Sequence, residues 1–187
     1  MTRIVAGALG GRRIAAPPGG HTRPTSDRVR EALFSALEAS TELTGARFAD
    51  LYAGSGAVGL EALSRGAAHV LLVESDPRAA RVIRENLATL RVAPAATLVT
   101  GKVAQVLAAG PEGGPYNVVF ADPPYALPAA ELVEVQHALV RHGWLAPDAL
   151  LVFERSSRDP EVTWVDGITA ERSRRYGETT LWYGRRS

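Results

Sequence analysis

Asp50-Leu51-Tyr52-Ala53-Gly54-Ser55-Gly56-Ala57-Val58-Gly59 is the stretch that decides how this chain folds. Arg47 to Tyr52 reads as a buried strand, and a short helix is expected from Val58 to Arg65, stopped by Gly66. Between them Gly54, Gly56 and Gly59 match G-x-G-x-x-G. That pattern is weak by itself. Here it follows a strand, opens a helix and has an acid twenty residues beyond Gly54: Glu74, closing the apolar run that starts at His69. The four elements together describe a turn that holds a nucleoside-containing cofactor. Glycines let the backbone approach the ligand, and the carboxylate can bind both ribose hydroxyls.

The same alternation continues outward. Asp76 reads as an N-cap with Pro77 at the first helical position, leading a helix through Val82, Ile83, Leu87 and Leu90. Strands are expected at 97–100, 117–121 and 149–154, with helices over 103–109 and 128–141. Two alternating segments, 169–175 and 179–183, suit an antiparallel closing pair. Repeated strand and helix imply a mostly parallel α/β sheet covered on both faces. Ahead of it, Arg3–Gly7 and Arg12–Ala15 around Gly10-Gly11 read as a β-hairpin. A linker, Pro17-Pro18-Gly19-Gly20, leads to a helix capped by Thr25 or Ser26, with Asp27 in its first turn. The expected division is a basic hairpin and linker over residues 1–25 and a catalytic domain over 26–187.

Asp50 narrows the cofactor. A dinucleotide would set its pyrophosphate against the helix N-terminus, where an acid just ahead of the turn is unfavourable. S-adenosylmethionine presents an ammonium and a sulfonium instead, so an acid there is useful. The alternative for Asp50 is a residue that only shapes the turn.

Asp122-Pro123-Pro124-Tyr125 follows the apolar run Asn117–Ala121. The prolines remove two N–H donors, so the segment offers carbonyl acceptors, a carboxylate and a flat ring. That set fits a planar group with an exocyclic amine, such as a nucleobase. The bland alternatives are an Asp that caps a turn and a Tyr in the core.

The 187 residues suit one domain, and 46% apolar with 22% charged residues is a soluble composition. Absence of cysteine excludes disulfides, zinc–thiolate sites and thiol nucleophiles. No apolar run reaches membrane-span length, and Arg12-Arg13 interrupt the mildly apolar start, so a cytoplasmic location is expected. The four histidines, His21, His69, His137 and His142, show no metal spacing, and no metal is expected. Net charge is +1, unevenly spread: +5 over 1–30, −6 over 31–154 and +2 over 155–187. A polyanion would meet the ends.

Asp50–Gly59, Glu74 and Asp122–Tyr125 together resemble class I S-adenosylmethionine-dependent methyltransferases that modify amino groups. Arg23-Pro24-Thr25-Ser26-Asp27-Arg28-Val29-Arg30-Glu31-Ala32-Leu33-Phe34 resembles the signature of the RsmD family, small bacterial enzymes that methylate N2 of one guanine in 16S rRNA. The resemblance covers nearly the whole chain. It implies a Rossmann-like fold with an antiparallel closing strand, and a 30S subunit as substrate with no obligate protein partner. Asp50, Tyr52, Gly54, Gly56, Glu74, Ser75 and Val103 would hold the cofactor. Asp122, Pro123 and Tyr125 would hold the flipped guanine. Arg3, Arg12, Arg13, Arg23, Thr25, Asp27, Arg28 and Arg30 would face RNA. One departure stands out: Gly101-Lys102-Val103 follows the third strand where relatives often carry an acid or amide for adenine.

Other readings place a DNA adenine-N6 or protein glutamine-N5 methyltransferase, a nicotinamide-dependent oxidoreductase or a non-catalytic RNA-binding protein on the same fold. No inserted target-recognition domain is visible for DNA. An oxidoreductase leaves the Asp122 segment and the basic ends without a purpose.

Overall fold

Strand, turn and helix alternate from Arg47 onward, as the hydrophobic pattern requires. The computed structural model describes residues 2–17, 26–124 and 126–187. The leading hairpin pairs β1 (Thr2–Arg3) with β2 (Arg13–Ile14), shorter than its sequence pattern suggests. α1 (Asp27–Ser40) follows, capped by the Ser26 side chain, which accepts from the Val29 amide at 3.2 Å. The main body then runs β3 (Arg47–Leu51), α2 (Ala57–Ser64), β4 (His69–Glu74), α3 (Pro77–Leu90), β5 (Ala96–Thr100) and α4 (Val103–Ala108). It continues with β6 (Tyr116–Ala121), α5 (Ala129–Arg141), β7 (Leu145–Ser156), β8 (Ile168–Tyr176) and β9 (Thr179–Arg186).

The seven-stranded sheet has the order β5-β4-β3-β6-β7-β9-β8. β5 to β7 are mutually parallel, and β9 inserts antiparallel between β7 and the edge strand β8. The chain builds outward from β3 through β4 to β5, then crosses back to place β6 on the other side of β3. The strand order therefore reverses at β3, and a crevice at the carboxyl ends there is where open α/β sheets bind ligands.

Each face of the sheet has its own apolar layer. Leu33, Phe34 and Leu37 of α1, Leu60 of α2 and Ile83 of α3 pack with Phe48, Val70, Leu72, Phe120 and Val152. Leu107 of α4 and Leu132 and Leu139 of α5 pack on the other face with Leu51, Val73, Val119 and Phe153. Strands buried on both faces carry unbroken apolar runs, which is why β4 and β6 are legible from sequence.

β7 is longer than expected because it contains an irregularity the pattern hides. Tyr116 faces Leu145, yet Val118 faces Leu150. The extra residues include Pro147, which has no N–H, and Asp148, at φ 61. Both read as breakers, but the chain bulges there and stays in the sheet.

The hairpin lies against α2. The Glu61 carboxylate accepts from the Val5 amide at 2.8 Å and from the Ala6 amide at 3.1 Å. Ser64 receives the next turn: the Ala8 amide reaches its carbonyl and the Leu9 amide its hydroxyl, at 2.8 and 2.9 Å. Gly7 is required there, since a Cβ would lie 2.0 Å from the Ser64 carbonyl oxygen. Ile4 and Ile14 complete the α1–α3 layer.

Candidate active site

Acids end four neighbouring strands on one edge of the sheet. Asp50 is in β3, Glu74 ends β4, Asp122 follows β6 and Glu154 lies near the end of β7. The register explains their meeting. Asp50 faces Phe120, Phe120 faces Val152, and Asp122 and Glu154 each lie two residues further on, so all three acids share the face of Phe120 and Val152.

The glycine turn forms the floor. Tyr52 stands at φ 59, an uncommon conformation for a non-glycine residue, and turns the chain sharply out of β3. The Ala53 amide donates to the Val73 carbonyl at 2.9 Å, fastening the turn to β4. Gly54, at φ 62, is the point of access, since a Cβ added there would meet nothing within 4 Å. Gly59 serves packing instead: its Cβ would lie 2.7 Å from Leu72 and 2.8 Å from Val70.

Glu74 joins the two turns. One carboxylate oxygen accepts from the Gly54 amide at 2.8 Å and the other from the Asp76 amide at 2.9 Å. Each oxygen retains a lone pair for a hydroxyl donor. Asn86, which was not anticipated, ties the leading segment to this site. It bonds the Ala15 amide and carbonyl at 2.8 and 3.0 Å and the Ser55 carbonyl at 3.1 Å.

Asp50 is 1% exposed, and its carboxylate accepts from the Gly59 amide at 2.9 Å. Burial holds its carboxyl well above the usual carboxylate range, opposed by the Gly59 hydrogen bond and reinforced by Glu74 and Glu154. Asp122 is raised in the same way, by burial first, then by the charges of Glu154 and Asp50 and by a side-chain hydrogen bond with Glu154. Arg155 acts in the opposite direction on Asp122. The Tyr52 hydroxyl is pushed up to about 12 by burial and by Glu131, so it remains a neutral donor.

A cluster in which buried carboxylates outnumber their cations is unfavourable in the folded chain. Asp50→Asn tests this. A raised carboxyl contributes stability that is fully present below its unfolded value and is lost as pH rises through its folded value. Asn retains an acceptor for Gly59 and cannot ionise. At neutral pH the unliganded variant should therefore melt above wild type, and the gap should close in acid. A gain on the order of 1 kcal/mol moves the Tm by about 2–4 °C. Thermal melts across pH measure this, and a gap independent of pH would reject the assignment.

The other expected site residues divide. Ser75 is exposed beside Glu74, Val103 is buried at the start of α4, and exposed Lys102 makes no side-chain cap there. Pro123 is buried, while Tyr125, Arg23 and Thr25 lie outside the described residues. Arg12, Arg13 and Arg28 are exposed, as is Arg3, which pairs with Asp27 at 3.5 Å. Asp27 bridges this hairpin arginine to α1, since it also pairs with Arg30 at 3.1 Å.

Arg30 is a correction. The expectation placed it among RNA contacts, but its side chain is fully buried and pairs with the equally buried Glu61 at 3.1 Å. Its guanidinium also donates to the Arg3 carbonyl. It fastens the hairpin and cannot reach a polyanion. Glu154 was missed altogether. The available signal was repetition, because each parallel strand from β3 to β7, except β5, has an acid near its carboxyl end.

A mostly parallel Rossmann-like sheet with a glycine turn after β3 and an antiparallel strand near its closing edge is the class I methyltransferase fold. The family model described as conserved hypothetical protein 95 matches residues 2–185. The chain is 42% identical over 152 residues to ribosomal RNA small subunit methyltransferase D of Escherichia coli strain K12, covering 81% of this chain and 73% of that protein. It is 35% identical over 162 residues to the Haemophilus influenzae protein of the same name, covering 86% and 82%. The solved yhhF structure from Escherichia coli superposes with a TM-score of 0.86 at 36% identity, covering 100% of this chain and 98% of that one. The chain belongs to the RsmD family.

Proposed function

We propose that this chain transfers a methyl group from S-adenosylmethionine to the exocyclic N2 amine of a guanine in 16S rRNA of the 30S subunit. The observation that carries the chemistry is the placement of Asp122-Pro123 beside Asp50 and Glu154, at the carboxyl edge next to the glycine turn. The RNA substrate is suggested by the names of the relatives and by the exposed arginines of the hairpin.

The cluster suits the methyl donor, a co-substrate with an ammonium and a sulfonium. Gly54 leaves room for close approach, Glu74 retains lone pairs that could accept from ribose hydroxyls, and Asp50 would supply a buried negative charge for the cationic end. An exocyclic amine is a poor nucleophile because its lone pair is delocalised into the ring. Asp122 and the Pro123 carbonyl accept its hydrogens and favour the pyramidal nitrogen of the transition state, which is differential binding. The base must leave its stack to reach this edge. Alignment of the amine with the activated methyl group supplies most of the remaining acceleration.

The deciding experiment is methyl transfer to 30S subunits lacking the modification, followed by mapping of the modified nucleotide. Transfer at a guanine N2 supports the reading; transfer only to DNA or protein refutes it. A second measurement concerns the hairpin and the start of α1. Arg13→Ala combined with Arg28→Ala should weaken RNA binding across sequences and lower the salt slope by roughly 0.7 per lost phosphate contact. A slope equal to wild type would remove these arginines from the interface.

A further inference from the structure

We propose that Asp122 and Glu154 share a proton in the unliganded protein and give it up when the methyl donor's positive charge arrives, so that Asp122 becomes an acceptor only when a methyl group is in place. The inference rests on the proposed reaction and adds a residue and a control to it.

Two carboxyl groups that meet side by side can hydrogen-bond to each other only with a proton between them. The β6–β7 register places them side by side at the end of adjacent strands. The groups facing Asp122 among the described residues are Glu154 and Asp50 on one account and Arg155 on the other. Asp50 in turn faces Glu74 and Glu154. The acids that act on Asp122 outweigh the one guanidinium acting on it, which makes the proton-holding form favourable. This agrees with the upward displacement of the Asp122 carboxyl.

A protonated Asp122 is the wrong partner for an amine, because it would donate where acceptance is needed. A sulfonium at this edge reverses the balance by compensating the cluster's charge, and the pair ionises. During transfer the amine lone pair forms the N–C bond, and the S–C bonding pair returns to sulfur. The N–H proton displaced from the amine goes to Asp122 and is shared with Glu154. The sulfur is now neutral, so the resting, proton-holding pair is restored. Glu154 is thus a positioning residue that sets the charge of Asp122.

Calorimetric titration in buffers of different ionisation enthalpy tests this without RNA. At neutral pH, wild type should release up to about one proton more on binding S-adenosylmethionine than Glu154→Gln does. Asp122→Asn should show the same reduction. The product S-adenosylhomocysteine, which lacks the sulfonium, should give a smaller difference between wild type and variants. The rate profile supplies a second readout. In Glu154→Gln the neighbouring charge that raises Asp122 is gone, so the acid limb of kcat/KM should move to lower pH. Equal proton release in wild type and both variants, or a rate loss with an unmoved acid limb, overturns the proposal. Failure of every form to bind S-adenosylmethionine would instead overturn the cofactor assignment, and this inference with it.

Discussion

Asp122→Ala is expected to lower kcat for methyl transfer by about 10²–10³-fold, the scale for loss of one transition-state hydrogen-bonding partner. Binding of S-adenosylmethionine should weaken by less than about tenfold, or 1.4 kcal/mol. The asymmetry follows from position. Gly54, Glu74 and Asp50 lie by the glycine turn, whereas Asp122 follows β6, the side proposed to hold the amine. Removing Asp122 deletes one negative charge but also frees Glu154 from a like-charged partner, so the attraction for a sulfonium is largely preserved. Asp122→Asn retains one acceptor and should fall between wild type and Ala. Single-turnover rates and direct binding separate the two quantities. Equal losses in both would make Asp122 a cofactor ligand and remove it from the reaction.

The parts of this site legible in sequence are those carried by local pattern. Gly54, Gly56 and Glu74 stand at set distances along one strand-turn-helix-strand unit, and His69–Glu74 and Pro77–Leu90 form where periodicity and capping place them. Glu154 was not legible, because its meaning depends on β7 lying beside β6 with Glu154 abreast of Asp122. Register is a long-range property, and the irregularity at Pro147-Asp148 conceals it further. Arg30 failed for a related reason. Its surroundings in sequence are charged and helical, which suggests a solvated face, but its partner Glu61 lies 31 residues away. Conversely, Glu61 stands in a helix that reads as apolar, where an acid gives no hint of the hairpin it receives.

Glu61→Ala should produce the largest loss of stability among single substitutions in this region, about 3–5 kcal/mol, the usual cost of breaking a buried ion pair by removing one partner. Glu61 and Arg30 are both fully buried, so the remaining guanidinium would keep a charge without its principal counter-ion. Arg65 also loses a partner, at 2.9 Å, but retains Glu31 and Glu38 at the surface. Pairwise replacement by apolar residues often rescues a buried ion pair. Here it should not. Glu61 also accepts the part-buried Val5 and Ala6 amides, which an apolar side chain would leave without acceptors. The double variant Arg30→Met with Glu61→Leu should therefore remain destabilised, while Arg30→Gln, which leaves both amides satisfied, should lose less than Glu61→Ala. Urea unfolding measures the totals. Native-state hydrogen exchange locates them, with the Val5 and Ala6 amides losing protection first because the hairpin detaches before the sheet opens. Full rescue by the apolar pair would show that the ion pair, and not the hairpin's amides, is what Glu61 is there to hold.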